Sequence, residues 1–490
     1  MAVSSRHVVI VGGGIAGLTT AYTVHDRAAT AGFPLRCTVI EAASEWGGMI
    51  LTHKVGGFVM EAGPDSFLSQ KPWAIDLCQQ LGLSDQLINT NPLKEKAFVF
   101  SRGRLRPLPD GLVVIVPTKL GPFLRSGLLS WSGMARMALD LVLPAQPATD
   151  GDESLATFFR RRLGHEAFER LIEPLMAGIY AGDAQQMSLR ATFPRFLDME
   201  RRYGSLIRGM LADRRSGPPK NSNGGGRTTF VTLRDGLQTL VHALVAQLEK
   251  VGTTLLSARR VAVLRRRSAQ AGPPYDVLLE NDSAIEADAV VLATPAYVAG
   301  ALVDGFCPTA AKYLNAIPYA STATVSLAYD QATLGPRAKG FGFVVPRIEH
   351  RDVLAATWTS QKWSHRAPPS RSVVRCYVGG IGREEILQLS DETVIRRVRN
   401  ELNEMAGITA VPMYAEVNRW ARAMPQYTIG HLERLNQLHT ALEPYHGLYL
   451  TGAGYRGIGL PDCIRDGTET AERVCRDLIR GIGERHSRRG

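Results

Sequence analysis

Three glycines and one acid carry the most specific chemistry in this sequence. Gly12, Gly14 and Gly17 lie in Val11-Gly12-Gly13-Gly14-Ile15-Ala16-Gly17, and Glu41 ends the apolar run Val39-Ile40. At this spacing the first glycine makes a tight turn and the second leaves room for a pyrophosphate. The third lets a helix pack closely on a strand, so that phosphates meet the unpaired N–H groups of the helix N-terminus. A carboxylate at Glu41 accepts hydrogen bonds from a ribose diol, which favours an unphosphorylated adenosine end. Gly13, Ile15, Ala16 and Ala42 complete the contacts expected of an adenine dinucleotide.

Such a fingerprint arises by chance unless its surroundings agree. Here they do: Val8-Val9-Ile10-Val11 reads as a buried strand, a helix opens at Ile15, and a second strand ends on the acid. Beyond it, the paired glycines before Met49 allow close backbone approach to a ligand, so Gly48 and Met49 are read as part of a flavin site. A strand over Phe58–Glu61 runs into Gly63-Pro64-Asp65-Ser66, whose amides could face an isoalloxazine ring. Near the end of the chain a strand at 448–450 turns at Gly452, and Ile458-Gly459-Leu460-Pro461 opens a helix to about residue 479. Its positive end would stabilise an anionic reduced ring. Val261, opening another strand, and Trp420, in a loop-like stretch over 420–427 with aromatics to flank a flat ring, join the expected FAD contacts.

The 490 residues suit two or three domains. The order of elements predicts α/β with α+β architecture: a discontinuous Rossmann-like FAD-binding domain (1–72, 228–298 and 438–490), an inserted largely helical domain (73–215), a flexible loop (216–227) and a mixed-sheet substrate domain (299–437). Within 73–215, Trp73–Leu81 reads as an amphipathic helix and Ala97–Leu108 as a hairpin turning at Arg102-Gly103. Leu120–Leu143 reads as two packed core helices, with a membrane-touching surface as the alternative. The net charge of +11 is spread thinly, and its densest runs, such as Arg265-Arg266-Arg267, read as solvated. A polyanionic small substrate or an anionic membrane surface fits this excess better than nucleic acid. Six scattered cysteines without ligand spacing read as buried thiols in a reducing compartment, with no metal site. The first strand begins within ten residues of Met1, and no run of about twenty apolar residues occurs. A cytoplasmic protein is expected, with peripheral membrane contact left open. No nucleophile–base pair or paired carboxylates demand covalent catalysis, so the redox work falls to the cofactor.

Several stretches resemble the oxygen-dependent porphyrinogen oxidases of haem biosynthesis, within the wider FAD-dependent amine-oxidase-like flavoproteins. They are Glu61-Ala62-Gly63-Pro64-Asp65-Ser66-Phe67, the run from Glu173 to Asp183, Met424-Pro425-Gln426-Tyr427 and Gly457–Ile464. The stretch Thr357–His365 is similar to the coproporphyrinogen III oxidases of bacteria. Protoporphyrinogen oxidases usually carry an arginine where this chain has Ala97. The resemblance implies oxidation of coproporphyrinogen III to coproporphyrin III, with six electrons passing through flavin N5 to dioxygen as three hydrogen peroxide; protoporphyrinogen IX is the alternative substrate. It implies substrate contacts at Lys71, Lys96, Met176 and Ile179, with Arg102 and Arg104 as further cations for propionates. Transient contact with the next haem-pathway enzyme is a further implication. His365 and Asp65 are conceivable proton handlers, with a structural role expected for each. An amine oxidase, a desaturase and a non-catalytic porphyrin carrier remain competing readings.

Overall fold

The computed structural model describes residues 5–93, 97–108, 112–113, 116–117, 126–146, 151–215, 226–267 and 272–487. Val8, Val9 and Ile10 are fully buried, as a strand covered on both faces requires. Arg6–Val11 is central in a five-stranded parallel sheet ordered Thr254–Leu256, Leu35–Ile40, Arg6–Val11, Ala289–Leu292, Leu448–Leu450. Side chains alternate between faces with period two. Val8, Ile10, Val39 and Val291 pack with the helices Ile15–Ala31 and Leu460–Ser487. Val9, Val11, Val290 and Leu292 pack with an antiparallel sheet of Val261–Arg266, Tyr275–Leu279 and Ala284–Ala287. The two helices touch closely where Thr20 Oγ1 donates to the Gly467 carbonyl at 3.1 Å.

A second, seven-stranded sheet runs in the order Tyr414–Pro425, Tyr319–Asp330, Arg371–Gly379, Val353–Trp358, Gly342–Val344, Phe98–Ser101, Arg104–Pro107. Helix Asp391–Ala406 covers it with Val394, Val398, Leu402 and Met405. Its Ser390 hydroxyl accepts from the Thr393 N–H as N-cap. The helical segment has its own core around Phe158, Phe159, Phe168, Leu171 and Phe196. Asp140 and Arg162, both sealed from solvent, pair inside it.

Three expectations need correction. The hairpin Phe98–Ser101/Arg104–Pro107, with positive φ at Arg102 and Gly103, forms as read. It belongs to the seven-stranded sheet and not to the helical segment, because Phe98, Val99 and Phe100 are all buried and Phe98–Ser101 pairs in parallel with Gly342–Val344. Helix Trp73–Gln80 likewise leaves the helical segment, burying Ala74, Ile75, Leu77 and Cys78 in the core that Val8, Ile10 and Val39 of the parallel sheet share. Of Leu120–Leu143, residues 120–125 lie outside the described residues. The rest forms a helix Trp131–Ala138 and a short 3-10 turn that buries Met137 but leaves Trp131 75% and Val142 73% exposed. Two core helices would not leave such groups in water. No helix among the described residues is long and apolar enough to cross a membrane. The expected loop at 216–227 falls mostly outside the described residues, and all six cysteines are buried free thiols.

Candidate cofactor and substrate site

The glycine turn places its donors as the fingerprint requires. Gly12 takes φ +111°, a conformation that side-chain-bearing residues rarely adopt. A Cβ at Gly17 would lie 2.0 Å from the Gly12 carbonyl, whereas a Cβ at Gly14 would meet nothing within 4 Å. Gly14 thus opens onto free space while Gly17 is pressed against the turn. Helix Ile15–Ala31 has no side-chain cap and no acid in its first turn, so the N–H groups around Ile15 and Ala16 are left for a ligand. Glu41 Oε2 accepts from the Gly13 N–H at 2.7 Å and Oε1 from the Ala43 N–H at 2.8 Å, next to Ala42. The Arg259 N–H donates to the Glu41 carbonyl, which brings the chain entering Val261 beside the acid. These residues fit a dinucleotide: a phosphate-sized opening, unspent helix donors and an oriented carboxylate at the adenosine end.

Contacts lead from this cradle to the second half of the expected site. A Cβ at Gly48 would approach Gly14 Cα at 3.3 Å, and one at Gly63 would strike the Met49 carbonyl. Gly14, Gly48, Met49 and Gly63 therefore form a continuous backbone surface leading into Pro64, Asp65 and Ser66. The sheet grips this loop at one atom: the Ala62 carbonyl accepts from Thr324 Oγ1 at 2.9 Å and Trp420 Nε1 at 2.8 Å, and Arg375 Nη2 lies 3.3 Å away. Trp420 is thus corrected from a loop aromatic to a strand residue of Tyr414–Pro425 whose indole fastens the loop. Asp65 accepts from Ser66 Oγ at 2.6 Å and pairs with Lys362 Nζ at 3.4 Å. Burial pushes its pKa up, but Lys362 and then Arg375 overcome this and hold the carboxyl well below the usual range. Asp65 is held as the anion beside Lys362, and exposed His365 lies on a loop with φ +65°.

The C-terminal glycine turn is fastened as firmly. Buried Asp466 Oδ2 accepts from Thr451 Oγ1 and the Gly452 N–H, both at 2.8 Å. Tyr427 Oη donates to the Ala453 carbonyl at 2.6 Å and accepts from the Gly457 N–H at 2.7 Å. Burial raises its pKa well above the ordinary phenol value, so the hydroxyl proton needed for the first bond stays in place. Gly457 leads into Ile458, Gly459 and Leu460, at the N-terminus of Leu460–Ser487. Gln426 Nε2 donates to the Tyr180 carbonyl at 2.8 Å, tying the helical segment to the same loop.

Of the expected substrate contacts, Lys71 Nζ lies 2.5 Å from Asp462 Oδ2 at the start of the C-terminal helix. Its charge is already met, and it joins the two halves of the site. Met176 is 2% exposed, packed with the core around Phe168 and Leu171, while Ile179 is 47% exposed on the same helix. Ile458 and Val344 pack against this helical core. Arg102 pairs with Glu166 at 2.8 Å, and Lys96 lies outside the described residues. Asp466, Thr324 and Arg375 escape sequence reading, and Tyr427 reads only as one of the ring-flanking aromatics of 420–427, not as a clasp; Arg375 carries a signal, because a charge inside Val373-Val374-Arg375-Cys376-Tyr377-Val378 must find a partner.

Known proteins agree with this arrangement. The sequence pattern of the flavin-containing amine oxidoreductases matches residues 15–475. Coproporphyrinogen III oxidase of Bacillus subtilis (strain 168) is 39% identical over 468 residues, 95% of this chain and 97% of that protein. Protoporphyrinogen oxidase 1, chloroplastic, of Arabidopsis thaliana is 31% identical, covering 95% of this chain and 87% of the plant protein. Among solved structures, a provisionally named protoporphyrinogen oxidase from Exiguobacterium sp. 255-15 superposes with a TM-score of 0.84 at 33% identity, covering 96% of this chain and 99% of that one. Cyclohexylamine oxidase from Brevibacterium oxydans IH-35A, at 16% identity and TM-score 0.67 over 97% of this chain and all of its own, shares the fold. With the glycine cradle intact and the match running nearly end to end, this chain belongs to the family of flavin-containing amine oxidoreductases.

Proposed function

We propose that this protein is an FAD- and oxygen-dependent coproporphyrinogen III oxidase of haem biosynthesis. The carrying observation is end-to-end similarity to coproporphyrinogen III oxidases at up to 39% identity, in a chain whose dinucleotide cradle is sterically open. FAD, when bound, supplies the hydride acceptor for the sp³ bridge carbons, with dioxygen as the final acceptor of all six electrons. The protein's own part is positioning. Gly12–Gly17 and Glu41 hold the dinucleotide, the Ala62 clasp fixes the Gly63–Ser66 surface, and Tyr427 fixes the turn before Ile458. Exposed Ile179, with Val344 and Ile458 packed against the same helical core, offers apolar surface for a macrocycle. Lys71 joins the site's halves through Asp462, so a propionate reaching it would have to share that cation.

Protoporphyrinogen IX is the second reading, favoured by the Arabidopsis and Exiguobacterium relatives. Mixing the anaerobic FAD-loaded protein with each porphyrinogen and following loss of flavin absorbance decides between them. Faster bleaching by coproporphyrinogen III, with three peroxides per porphyrin after oxygen is readmitted, supports the proposal. Faster bleaching by protoporphyrinogen IX moves the assignment to the second substrate, and no bleaching by either refutes both. Peripheral contact with an anionic membrane belongs to the same reading, supported by the exposed Trp131, Leu139 and Val142.

A further inference from the structure

Around the Gly63–Ser66 loop lies a largely buried group of charges whose excess the positioning roles above do not use. Arg375 is 2% and Arg366 1% exposed. Arg375 spends one nitrogen, Nη2, on the Ala62 and Gly63 carbonyls. Arg366 likewise spends Nη2, on Thr232 Oγ1 at 2.9 Å and Glu61 Oε1 at 3.1 Å. Nε and Nη1 of both arginines are buried without a hydrogen-bond partner. Lys362 adds a third cation, paired with Asp65 and lying 5.3 Å from the centre of the Phe230 ring and 5.0 Å from that of Trp363. Against these stand two carboxylates, Glu61 and Asp65. Fastening a loop needs one donor, not a surplus of buried positive charge, and leaving guanidinium N–H groups unpaired is costly. Burial also pushes the Glu61 carboxyl up despite Arg366, which weakens the negative side of the balance further.

We propose that Arg366, Arg375 and Lys362 form an electrostatic bias behind the flavin-facing loop, favouring the negatively charged reduced form of the bound flavin. The inference rests on the FAD reading above. Charges sealed from water act through a low dielectric and are little screened by salt, so the cluster needs no contact with the ring. Arg375 is a positioning and tuning residue; its reach is through Gly63.

The test is signed. Purified FAD-loaded wild type, Arg375→Gln, Arg375→Lys and Asp65→Asn are compared by equilibrium reduction against a reference dye and by titration with sulfite, whose flavin adduct is also anionic. Arg375→Gln, which keeps a donor for the Gly63 carbonyl, should shift the reduced-to-oxidised equilibrium at least tenfold toward oxidised, about 30 mV for a two-electron couple, and weaken sulfite. Arg375→Lys should stay near wild type, and Asp65→Asn should move both readouts the opposite way. Loosening of the loop would move Arg375→Gln and Asp65→Asn in the same direction, which overturns the proposal, as do unmoved potentials in loaded protein. Should Arg375→Gln fail to hold FAD, Lys362→Met carries the same expected sign. A wild type that takes up no flavin overturns the cofactor reading, and this proposal with it; unmoved potentials overturn this proposal alone.

Discussion

A methyl group added at Gly14 should cost cofactor affinity without costing stability, whereas the same change at Gly17 should cost both. Gly14 has φ −72° and ψ 175°, which alanine adopts freely, and its Cβ would meet nothing within 4 Å. At a compatible position a Gly→Ala change stabilises by about 0.4–1 kcal/mol through the unfolded chain. The flavin-free Gly14→Ala protein should therefore melt at or slightly above wild type. Its cost appears when a pyrophosphate approaches, because the methyl group stands in the opening. Losing one hydrogen bond to a charged oxygen is worth about 1.5–3 kcal/mol, or about 10- to 150-fold in Kd. At Gly17 the added Cβ would sit 2.0 Å from the Gly12 carbonyl and 3.1 Å from Ala293 Cβ. Non-bonded carbon contacts settle near about 3.5 Å, so helix and turn must separate by more than an ångström, at a cost of about 1–3 kcal/mol or more. Fluorescence titration of the deflavinated proteins with FAD, beside their melting curves, reads both quantities. Gly14→Val, with a larger side chain, should lose FAD altogether. A Gly14→Val protein purified with full yellow colour would refute the assignment of this opening to the pyrophosphate. A Gly14→Ala apoprotein melting well below wild type would refute the separation of roles.

Other parts of the molecule yield independent tests. Asp140 accepts from Arg162 Nε and Ser205 Oγ, both at 2.6 Å, and from the Ile207 N–H at 2.9 Å. Asp140→Ala should destabilise by about 3–5 kcal/mol by leaving a buried arginine underpaired; a shift below about 1 kcal/mol in urea titrations contradicts that. Burial pushes His431 down to about 4, with Nε2 donating to the Tyr455 carbonyl and the ring stacked on Tyr427. Because the folded value lies below the unfolded one, the unfolded chain binds the extra proton, and stability falls as pH drops from about 6.5 toward 4, by up to about 3 kcal/mol. His431→Gln should lose one proton's worth of that slope, and an unchanged slope would place the acid sensitivity elsewhere. Wild type should pellet with phosphatidylglycerol vesicles, and Trp131→Ser/Val142→Ser should bind at least tenfold more weakly, since burying each side chain is worth about 1.5–3 kcal/mol. Failure of wild type to pellet removes the membrane reading.

The glycine turn and the strands around it were legible because the constraint there acts on the backbone. A glycine at 12, 14 or 17 means nearly the same thing in isolation as in the fold, since each acts on atoms within a few residues or on the next strand. Boundaries were less legible. Nothing local distinguishes the hairpin Phe98–Ser101/Arg104–Pro107 as belonging to a sheet whose neighbouring strand, Gly342–Val344, lies over two hundred residues away. The same holds for Trp73–Gln80, whose apolar face would suit either core. Amphipathic period reports that a face is buried, not against what.

Side-chain partners were illegible for a more specific reason: a cation in sequence is an unspent charge, and folding decides what it pairs with. Lys71 reads as free for a propionate until Asp462, 391 residues later, is placed beside it at 2.5 Å. Arg102 is spent on Glu166 in the same way. Trp420 reads as a flat surface for a ring until its indole N–H finds the Ala62 carbonyl. The converse case is more informative. Arg375 sits in a run so apolar that its charge cannot reach water, so sequence demands a partner, and folding supplies carbonyls for one nitrogen while leaving two others unspent. A buried charge that folding does not fully satisfy is where structure stops explaining a residue and function must begin. That is why the signed test at Arg375 and Asp65 probes the chemistry of this site more sharply than substitution of the part-exposed Lys71–Asp462 pair.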